Sequence, residues 1–382
     1  MAAQTKAVLI PDGESHILQY VICCLSRVKY LRIHVMSSKR MSAMRYSRFI
    51  DSYHYYDDSG QDALWIENIN KEVGRHDIDL IMPIFEKGIR RIIANEDLLN
   101  FPDRLCLLPN LNSFDTAIDK WRLYRHLSGQ NIASPETWLY SKNHAIDKSI
   151  FPVVAKPARG FGGGMQVQLL TSAEELQEYM STKDWKSTNY ILQRYVEGTD
   201  YACSVLCRHG KILAYTIQRS LTSESHPFGP QLAYRFEPND RLLEIAAKLM
   251  GSLSWTGIAS IDFRYDRHHD SYQVLEVNTR FWRSLVGSLY AGVNFPAILL
   301  DATSERKIVR NNSYDSILFY DLKGLAKAIR KEPSVMFDLN LLRRNSPLGC
   351  IVVDPLPYLL KYLARSRNLL RKHLSKFQKK GG

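Results

Sequence analysis

The chain has 382 residues, of which 45% are hydrophobic and 24% are charged, an ordinary composition for a globular protein. These fractions exclude disordered and fibrous classes, and the length suffices for two or three small domains. The sequence contains no run of about 18 apolar residues, so no transmembrane helix is predicted. Residues 1–6 lack the charged and then apolar pattern of a secretory signal. We therefore expect a cytoplasmic protein.

The charge of the chain is concentrated toward its C-terminus. The formal net charge is +12, and residues 305–382 carry 17 Lys and Arg against six Asp and Glu. This asymmetry indicates a basic C-terminal appendage rather than a basic fold. The six cysteines form no Cys-x-x-Cys pair, so we expect buried, reduced thiols rather than a metal site.

The N-terminal region alternates short apolar runs with helical patterns. Strands are predicted at 7–10, 31–36, 78–84 and 104–108, and helices at 15–28 and 87–99. This alternation is typical of a parallel, doubly wound sheet and predicts a Rossmann-like domain. Nicotinamide binding is not expected, because residues 11–14 read Pro-Asp-Gly-Glu where the dinucleotide fingerprint would stand.

A second pattern begins near Ser113, which is predicted to cap a helix running through Asp119 to Leu127 and ending at Gly129. Ser172 is predicted to cap a helix with Glu175 at the capping-box position, and another helix is predicted at 240–253. Strands are predicted at 151–157, 165–170, 190–196, 201–207, 211–219, 258–265 and 272–278.

A glycine-rich turn lies between the first two of these strands. It follows Lys156 and contains Gly160, Gly162, Gly163 and Gly164. Without Cβ atoms, the backbone N–H groups of such a turn can approach phosphate oxygens closely, so we predict a phosphate-binding turn, with a plain linker as the alternative. A Walker loop is excluded because no Gly-Lys-Ser/Thr follows, and a protein kinase because His-Arg-Asp and Asp-Phe-Gly are missing.

Two acidic residues lie on the last predicted hairpin. If its connection is centred near His269, Asp262 faces Glu276 and Ser260 faces Asn278 in an antiparallel register. Two carboxylates and an amide oxygen suit Mg²⁺, which prefers oxygen ligands and shares them with phosphates. The alternative is a set of solvent-facing acidic residues, which the flanking apolar residues disfavour.

The order of these motifs resembles the ATP-grasp superfamily. After the glycine-rich hairpin come Gln193-Arg194-Tyr195-Val196-Glu197-Gly198-Thr199-Asp200-Tyr201, then Asp262, then Glu276-Val277-Asn278-Thr279-Arg280. The stretch 276–284 is most similar to the synthetase domains of carbamoyl-phosphate synthase, and its Asn-Thr-Arg triplet is similar to biotin carboxylase. The resemblance covers residues 113–302, about half of the chain. It implies three parts: a Rossmann-like pre-ATP-grasp domain (residues 1–112), a two-lobed ATP-grasp domain (113–302) and a basic helical C-terminal extension (303–382).

The resemblance also implies a role for each matching residue. Lys120 and Lys156 would hold ATP phosphates under the turn at 160–164, and Asp200 would bind the ribose hydroxyls. The hinge that receives adenine through backbone groups would be formed by Gln193, Tyr195 and Val196. One or two Mg²⁺, with Mn²⁺ as an alternative, would be held by Asp262, Glu276 and Asn278.

Two arginines, Arg280 and Arg283, would stabilise the transferring phosphoryl group or orient an acceptor carboxylate. His226, Arg219 and Arg235 flank a loop that would close over substrate, or that is a plain surface loop.

The implied activity is ATP-dependent ligation. A phosphoryl group moves to a carboxylate, and a nucleophile, most simply an amine, then displaces phosphate. The alternatives are a nucleotide-binding module that works through a partner, and a small-molecule kinase. Many ligases of the superfamily carry an arginine at the position of Ser260. The carbamoyl-phosphate branch lacks this arginine too, so the departure agrees with the resemblance to that branch. It has a single ATP-grasp unit and no amidotransferase sequence, so it is not expected to be carbamoyl-phosphate synthase itself.

The C-terminal segment from Leu356 to Phe377 is predicted to form an amphipathic basic helix. Its leucine face would dock on the protein or on an anionic membrane surface, which would place the protein peripherally at the inner face of the membrane. Nucleic acid is not an expected partner, because the aromatic interleaving of a single-strand binder is missing.

Overall fold

The computed structural model describes residues 5–141, 148–160, 166–182, 189–223, 228–303 and 313–378. For residues 148, 222, 223 and 368–378 it describes the backbone alone. These residues form an α/β protein with one parallel and two antiparallel sheets, which confirms the predicted fold class.

A four-stranded parallel sheet forms the N-terminal domain. Its strands, in the spatial order β3-β2-β1-β4, are β1 (Lys6–Ile10), β2 (Leu31–Ser37), β3 (Ser52–Tyr55) and β4 (Leu80–Ile81). Its helices are α1 (Leu18–Leu25), α2 (Asp62–His76) and α3 (Glu86–Ala94). The prediction of a strand at 104–108 is wrong, because this segment makes one isolated bridge, from Leu105 to Ile81.

The helix predicted from Ser113 to Leu127 is broken in two, α4 (Leu111–Ile118) and α5 (Lys120–Gly129). Asn110, not Ser113, caps α4, since its side chain accepts from the backbone N–H of Ser113. The break falls at Asp119, whose extended backbone and carboxylate cap α5 by accepting from the N–H groups of Trp121 and Arg122. As a result, Lys120 stands in the first turn of a new helix.

A second sheet forms a small antiparallel lobe in the order β5-β8-β6-β7. Its strands are β5 (Thr137–Leu139), β6 (Val153–Pro157), β7 (Gln168–Leu170) and β8 (Tyr190–Arg194). Helix α6 (Ala173–Ser181) covers it, and Ser172 caps this helix as predicted by accepting from the N–H of Glu175.

The third sheet has six strands in the order β13-β12-β9-β10-β11-β14. They are β9 (Gly198–Arg208), β10 (Lys211–Ser223), β11 (Gln231–Phe236), β12 (Gly257–Asp266), β13 (Ser271–Asn278) and β14 (Ile317–Tyr320). Helices α4, α5 and α7 (Asp240–Ser252) pack on one face of this sheet around Trp255 and Phe263. Helices α8 (Leu285–Tyr290) and α9 (Phe295–Thr303) join the core of the N-terminal domain instead, through Leu285 and Phe295.

The C-terminal region is helical, as predicted, but its first element is the strand β14, which pairs with β11 of the large sheet. Its helices are α10 (Leu322–Lys331), α11 (Leu339–Arg344), α12 (Leu348–Val353) and α13 (Pro355–Gln378). Elsewhere in the chain, short 3-10 helices lie at 43–46, 96–98, 102–104 and 148–150, and one more precedes α11 at 333–337. Among the described residues, no helix is long and apolar enough to span a membrane.

The C-terminal region is held against the N-terminal domain by covalent and polar contacts. Cys23 of α1 and Cys350 of α12 form a disulfide with their Cα atoms 5.8 Å apart. The expectation of reduced thiols is therefore wrong for this pair, because folding brings together two cysteines that are 327 residues apart in sequence. The buried carboxylate of Asp354, at the start of α13, accepts hydrogen bonds from the Ser47 hydroxyl and the Arg48 backbone N–H.

Candidate active site

A cavity of about 330 Å³ lies between the small lobe and the large sheet. All of the described residues that were predicted to bind nucleotide, metal or the transferring phosphoryl group line it. They are Lys120, Lys156, Gly160, Gln193, Tyr195, Val196, Asp200, Asp262, Glu276, Asn278, Arg280 and Arg283. Gly162, Gly163 and Gly164 lie outside the described residues. The fold thus brings together residues that are more than 100 positions apart in the sequence.

Two lysines enter the cavity from different elements. Lys156 of β6 is buried, and its Nζ donates to Oε1 of Gln193 at 2.8 Å; Gln193 in turn donates to the Thr137 hydroxyl at 3.0 Å. Burial lowers the pKa of Lys156 to about 8. Lys120 is fixed by its backbone N–H, which donates to the carbonyl of Ala158 at 2.9 Å, and its Nζ lies 3.4 Å from Oε2 of Glu276.

The side chain of Gln193 positions Lys156, and its backbone lies in the middle strand β8, paired with Val154 and Thr137. Gln193 therefore lies inside the small sheet, between two paired strands, and its predicted backbone contact with adenine stays a prediction.

The acidic residues lie on paired strands in the predicted register, with Asp262 opposite Glu276 and Ser260 opposite Asn278. Asn278 donates from Nδ2 to Oδ2 of Asp262 at 3.0 Å. Burial, and then the neighbouring Glu276, raise the pKa of Asp262 well above its usual range. Burial opposes ionisation of Glu276 too, but Lys120 and Lys156 outweigh it and hold its pKa at about 2. Two carboxylates facing each other beside two ammonium groups have the donor chemistry of a magnesium–phosphate site.

Arg280 connects this acidic pair to the N-terminal domain. Its guanidinium donates to Oδ1 of Asn278 at 3.2 Å and lies 3.5 Å from Oε1 of Glu86, in the first turn of α3. Burial raises the pKa of Glu86, an effect that the charge of Arg280 opposes. Sequence reasoning missed Glu86, because no local pattern links α3 to a residue almost 200 positions later.

A second residue that was missed, Arg264 of β12, contacts the segment that follows β8. It donates from Nε to the carbonyl of Val196 at 3.0 Å and also pairs with Oδ1 of Asp200. Gln231 donates to the other oxygen of Asp200 at 3.1 Å. The backbone N–H of Tyr195 donates to the carbonyl of Pro152. A signal for Arg264 existed: it lies two residues after Asp262 on the same strand and therefore on the same face of the sheet.

Arg283, Trp282 and Tyr234 also line the cavity. Arg283 is 3.7 Å from Oδ2 of Asp321, and the indole N–H of Trp282 is buried without a hydrogen-bond partner among the described residues. Residues 228–231 of the predicted loop also line the cavity. Arg219 and Arg235 are not among the described residues that line the cavity. Arg219 instead pairs with Glu237 at 3.1 Å. His226 lies outside the described residues.

A small antiparallel lobe faces a large sheet, and two lysines and two paired carboxylates line the cavity between them, an arrangement that suits a nucleotide. Residues 117–284 match the family described as "ATP-grasp domain". This match confirms the resemblance for that part of the chain and, at the level of the family, the predicted cofactors ATP and Mg²⁺.

Relatives and solved structures are consistent with this assignment. D-alanine–D-alanine ligase of Anaplasma marginale is 28% identical over 195 residues, 48% of this chain and 58% of the relative. Carbamoyl-phosphate synthase of Methanobrevibacter smithii is 24% identical over 195 residues, 48% of this chain and 52% of the relative. The matched segments thus span less than two thirds of either relative's length. N5-carboxyaminoimidazole synthetase from Staphylococcus aureus, complexed with ADP, has a similar fold, with a TM-score of 0.67 and 14% identity; the match covers 86% of this chain and 87% of that one.

Proposed function

We propose that the chain is an ATP-dependent ligase that activates a small-molecule carboxylate as an acyl phosphate and joins it to an amine. The observation that carries this proposal is the set of charged side chains that line one cavity. Lys120, Lys156 and the acidic pair Asp262 and Glu276 line it together with Arg280 and Arg283. The lysines and the acidic pair suit the phosphates of a nucleotide, and the arginines suit a second, anionic substrate.

The lysines and the acidic residues of the cavity fit the cofactors of the family. Asp262, Glu276 and Asn278 offer oxygen donors for Mg²⁺, which would neutralise phosphate charge when bound. The ammonium groups of Lys120 and Lys156 would contact the phosphates. To do so, Lys120 would give up its contact with Glu276, and Lys156 its hydrogen bond to Gln193. Arg264 would hold the hinge and Asp200 in place for the nucleoside.

Two arginines that line the cavity, Arg280 and Arg283, suit a carboxylate. Their charges act, after burial, to lower the pKa of the nearby His16 to about 4. An anionic substrate would be attracted to these guanidinium groups, each of which can hold a carboxylate through two parallel hydrogen bonds.

The proposed reaction needs positioning and charge neutralisation rather than a nucleophilic side chain. A substrate carboxylate oxygen attacks the terminal phosphorus of ATP, the bond to ADP breaks, and an acyl phosphate forms. The amine then attacks the acyl carbon, phosphate leaves, and the amine loses a proton. Arg280 and Arg283 would oppose the negative charge that develops on the transferring group. The names of two similar proteins, D-alanine–D-alanine ligase and an L-amino acid ligase from Bacillus licheniformis, support an amine as the acceptor.

Trapping the acyl phosphate tests the proposal. Purified protein, Mg²⁺ and ATP would be incubated with pooled carboxylic acids and hydroxylamine, which converts an acyl phosphate into a hydroxamate. We expect ADP release that depends on the carboxylate, hydroxamate formation, and transfer of one heavy oxygen atom from a labelled carboxylate to phosphate. A stable phosphorylated product without hydroxamate would instead show a kinase, and ATP binding without turnover in every pool would show a binding module.

Matched variants make the test specific. Lys156→Met should abolish the signal, whereas Lys71→Met, at a lysine on the surface of α2 that pairs with Glu67, should not. Equal hydroxamate yields from the two variants would contradict the role proposed for Lys156.

An anionic membrane surface is the second proposed partner, supported by the exposed start of α13. Leu356, Leu359, Tyr362 and Leu363 are exposed there, next to Lys361, Arg365 and Arg367. The alternative is docking of the leucine face on the protein. Against it, Leu356 and Leu363 of that face are exposed, whereas α13 contacts the N-terminal domain through residues near Asp354 and Tyr358.

A further inference from the structure

Three side chains meet at the edge of the N-terminal domain, outside the cavity described above. They are His54 of β3 and Glu72 and His76 of α2. Nε2 of His54 lies 3.0 Å from Oε2 of Glu72, Nε2 of His76 lies 3.3 Å from the same oxygen, and the two ring nitrogens are 3.1 Å apart. All three side chains are mostly buried, with exposed fractions of 23%, 13% and 20%.

The local structure explains why these atoms converge. Glu72 and His76 are four residues apart on one helix and therefore lie one turn apart on the same face. Strand β3 is the edge strand beside β2, and His34 of β2 stacks on the His76 ring with their centroids 4.3 Å apart. A 2.6 Å hydrogen bond between Nδ1 and the Ser52 hydroxyl fixes the His34 ring, and this ring in turn limits the orientations of the His76 ring that stacks on it.

Hydrogen bonding alone does not account for the cluster. Oε2 of Glu72 is buried and, among the described residues, has no donor in hydrogen-bonding geometry, although two imidazole nitrogens are close to it. The two Nε2 atoms can form one hydrogen bond between a protonated and an unprotonated nitrogen, and neither nitrogen then has a second proton to donate to Oε2 of Glu72. The other oxygen of Glu72 is 3.8 Å from Arg75, which leaves Oε2 as the atom directed at the histidines.

The spacing of the three atoms matches a metal coordination shell. With metal–ligand bonds of about 2.0–2.1 Å, neighbouring ligands of a tetrahedral Zn²⁺ lie about 3.3 Å apart. The distances here are 3.0, 3.1 and 3.3 Å. Two imidazoles and one carboxylate favour Zn²⁺ or a similar transition-metal ion over Mg²⁺ or Ca²⁺, which take oxygen ligands.

We propose that His54, Glu72 and His76 form a transition-metal site, suited to Zn²⁺, that fastens the edge strand β3 to helix α2. A water molecule would complete the tetrahedron, since three protein ligands are present. Within the described wall of the active-site cavity none of the three residues occurs, so the ion stabilises the N-terminal domain and takes no part in the ligase reaction.

Metal titration of the purified full chain tests this proposal. After treatment with EDTA and dialysis, the protein would be titrated with Zn²⁺ against a chromophoric chelator and, separately, with Co²⁺ monitored by visible absorption. We expect one high-affinity Zn²⁺ per chain, a Co²⁺ absorption band that an equimolar amount of Zn²⁺ abolishes, and a rise in melting temperature with Zn²⁺.

Nearly isosteric variants assign the site to these residues. Loss of an outer-shell partner weakens metal binding by roughly 10–100-fold. His54→Gln, Glu72→Gln and His76→Gln each remove a direct ligand and should weaken Zn²⁺ binding by more than that. His268→Gln, at an exposed histidine of the ATP-grasp domain, should bind as the wild type does. The variants should keep the wild-type circular dichroism spectrum in EDTA, and Glu72→Gln should keep its Mg²⁺-dependent ATP binding.

The proposal is overturned if the folded wild type takes up no Zn²⁺ and shows no Co²⁺ band, or if all three variants bind Zn²⁺ as tightly as the His268→Gln control. The wild-type Co²⁺ measurement decides the question even if a variant fails to fold.

Discussion

Substitution of Lys156 by Met tests the proposed nucleotide site most directly. Methionine keeps the length and apolar stem of the side chain and removes the ammonium group that would contact phosphate. A hydrogen bond to a charged group contributes about 1.5–3 kcal/mol. The affinity for ATP should therefore fall by roughly 10–150-fold, since each 1.4 kcal/mol is about a factor of ten. Isothermal titration with Mg²⁺ and a non-hydrolysable ATP analogue at pH 7 measures this directly.

The fold should tolerate this change, because the buried ammonium group destabilises the free protein. Burial lowers the pKa of Lys156 from 10.5 to about 8, which corresponds to roughly 3 kcal/mol at a pH below both values. Against this, Oε1 of Gln193 loses its donor, at a cost of about 1–3 kcal/mol. The two effects nearly cancel, so the melting temperature of Lys156→Met at pH 7 should equal or slightly exceed that of the wild type.

The same pKa determines how stability and binding depend on pH. The unfolded chain binds more protons than the native protein between about pH 8 and pH 10.5, so this lysine makes stability rise with pH across that window. It should make ATP affinity fall above about pH 8, where the ammonium group is lost. Both trends should be weaker in Lys156→Met than in the Lys71→Met control. An unchanged ATP affinity in Lys156→Met would refute the reasoning and leave the glycine-rich turn as a connector.

Three further changes have expected outcomes. Glu276→Ala should lower turnover by at least about a hundredfold at saturating Mg²⁺, as loss of a preorganised electrostatic group does; ADP release measures this, and a rate near that of Glu67→Ala would contradict the metal assignment. Gly257→Ala should destabilise the protein by at least about 1–3 kcal/mol in urea unfolding, because the φ of Gly257 is +96° and an added Cβ would lie 2.6 Å from the Leu107 carbonyl oxygen. The control is Gly74→Ala inside α2, where an added Cβ has nothing within 4 Å, and this variant should instead gain up to about 1 kcal/mol of stability. A chain truncated before Pro355 should stay folded and lose salt-sensitive sedimentation with anionic vesicles, whereas equal sedimentation of both chains would end the membrane proposal.

The features that the sequence predicted well are those determined within one hairpin or one turn. The opposition of Asp262 and Glu276 was predictable because an antiparallel hairpin with a short connection fixes which residues face each other. The parallel N-terminal sheet was predictable because β1 contains the continuous apolar run Ala7–Ile10, and β2 carries Leu31, Ile33, Val35 and Met36 after a helical segment. In both cases the evidence lies within a few neighbouring residues.

The elements that were missed depend on distant partners. Strand β3 reads Ser-Tyr-His-Tyr and is partly exposed at the edge of its sheet, so no apolar alternation marks it. Helix α2 has no side-chain cap at Gln61 and contains Gly74, which weakens its helical pattern. Strand β14 exists because β11 lies beside it, about 80 residues earlier in the sequence, and the two were predicted neither separately nor as a pair.

The arginines of the site show where the limit of sequence reasoning falls. Arg264 follows Asp262 by two residues, and strand alternation alone places both on one face, so its contact with Asp200 could have been proposed. Arg280 follows Asn278 by two residues, and its contact with that amide could also have been proposed. The same guanidinium, however, lies 3.5 Å from Glu86 of another domain, and only the packing of α3 against the ATP-grasp domain brings this carboxylate to it. Local spacing therefore predicts which charged groups enter the cavity, whereas the packing of the two domains determines how the charge of Arg280 is balanced.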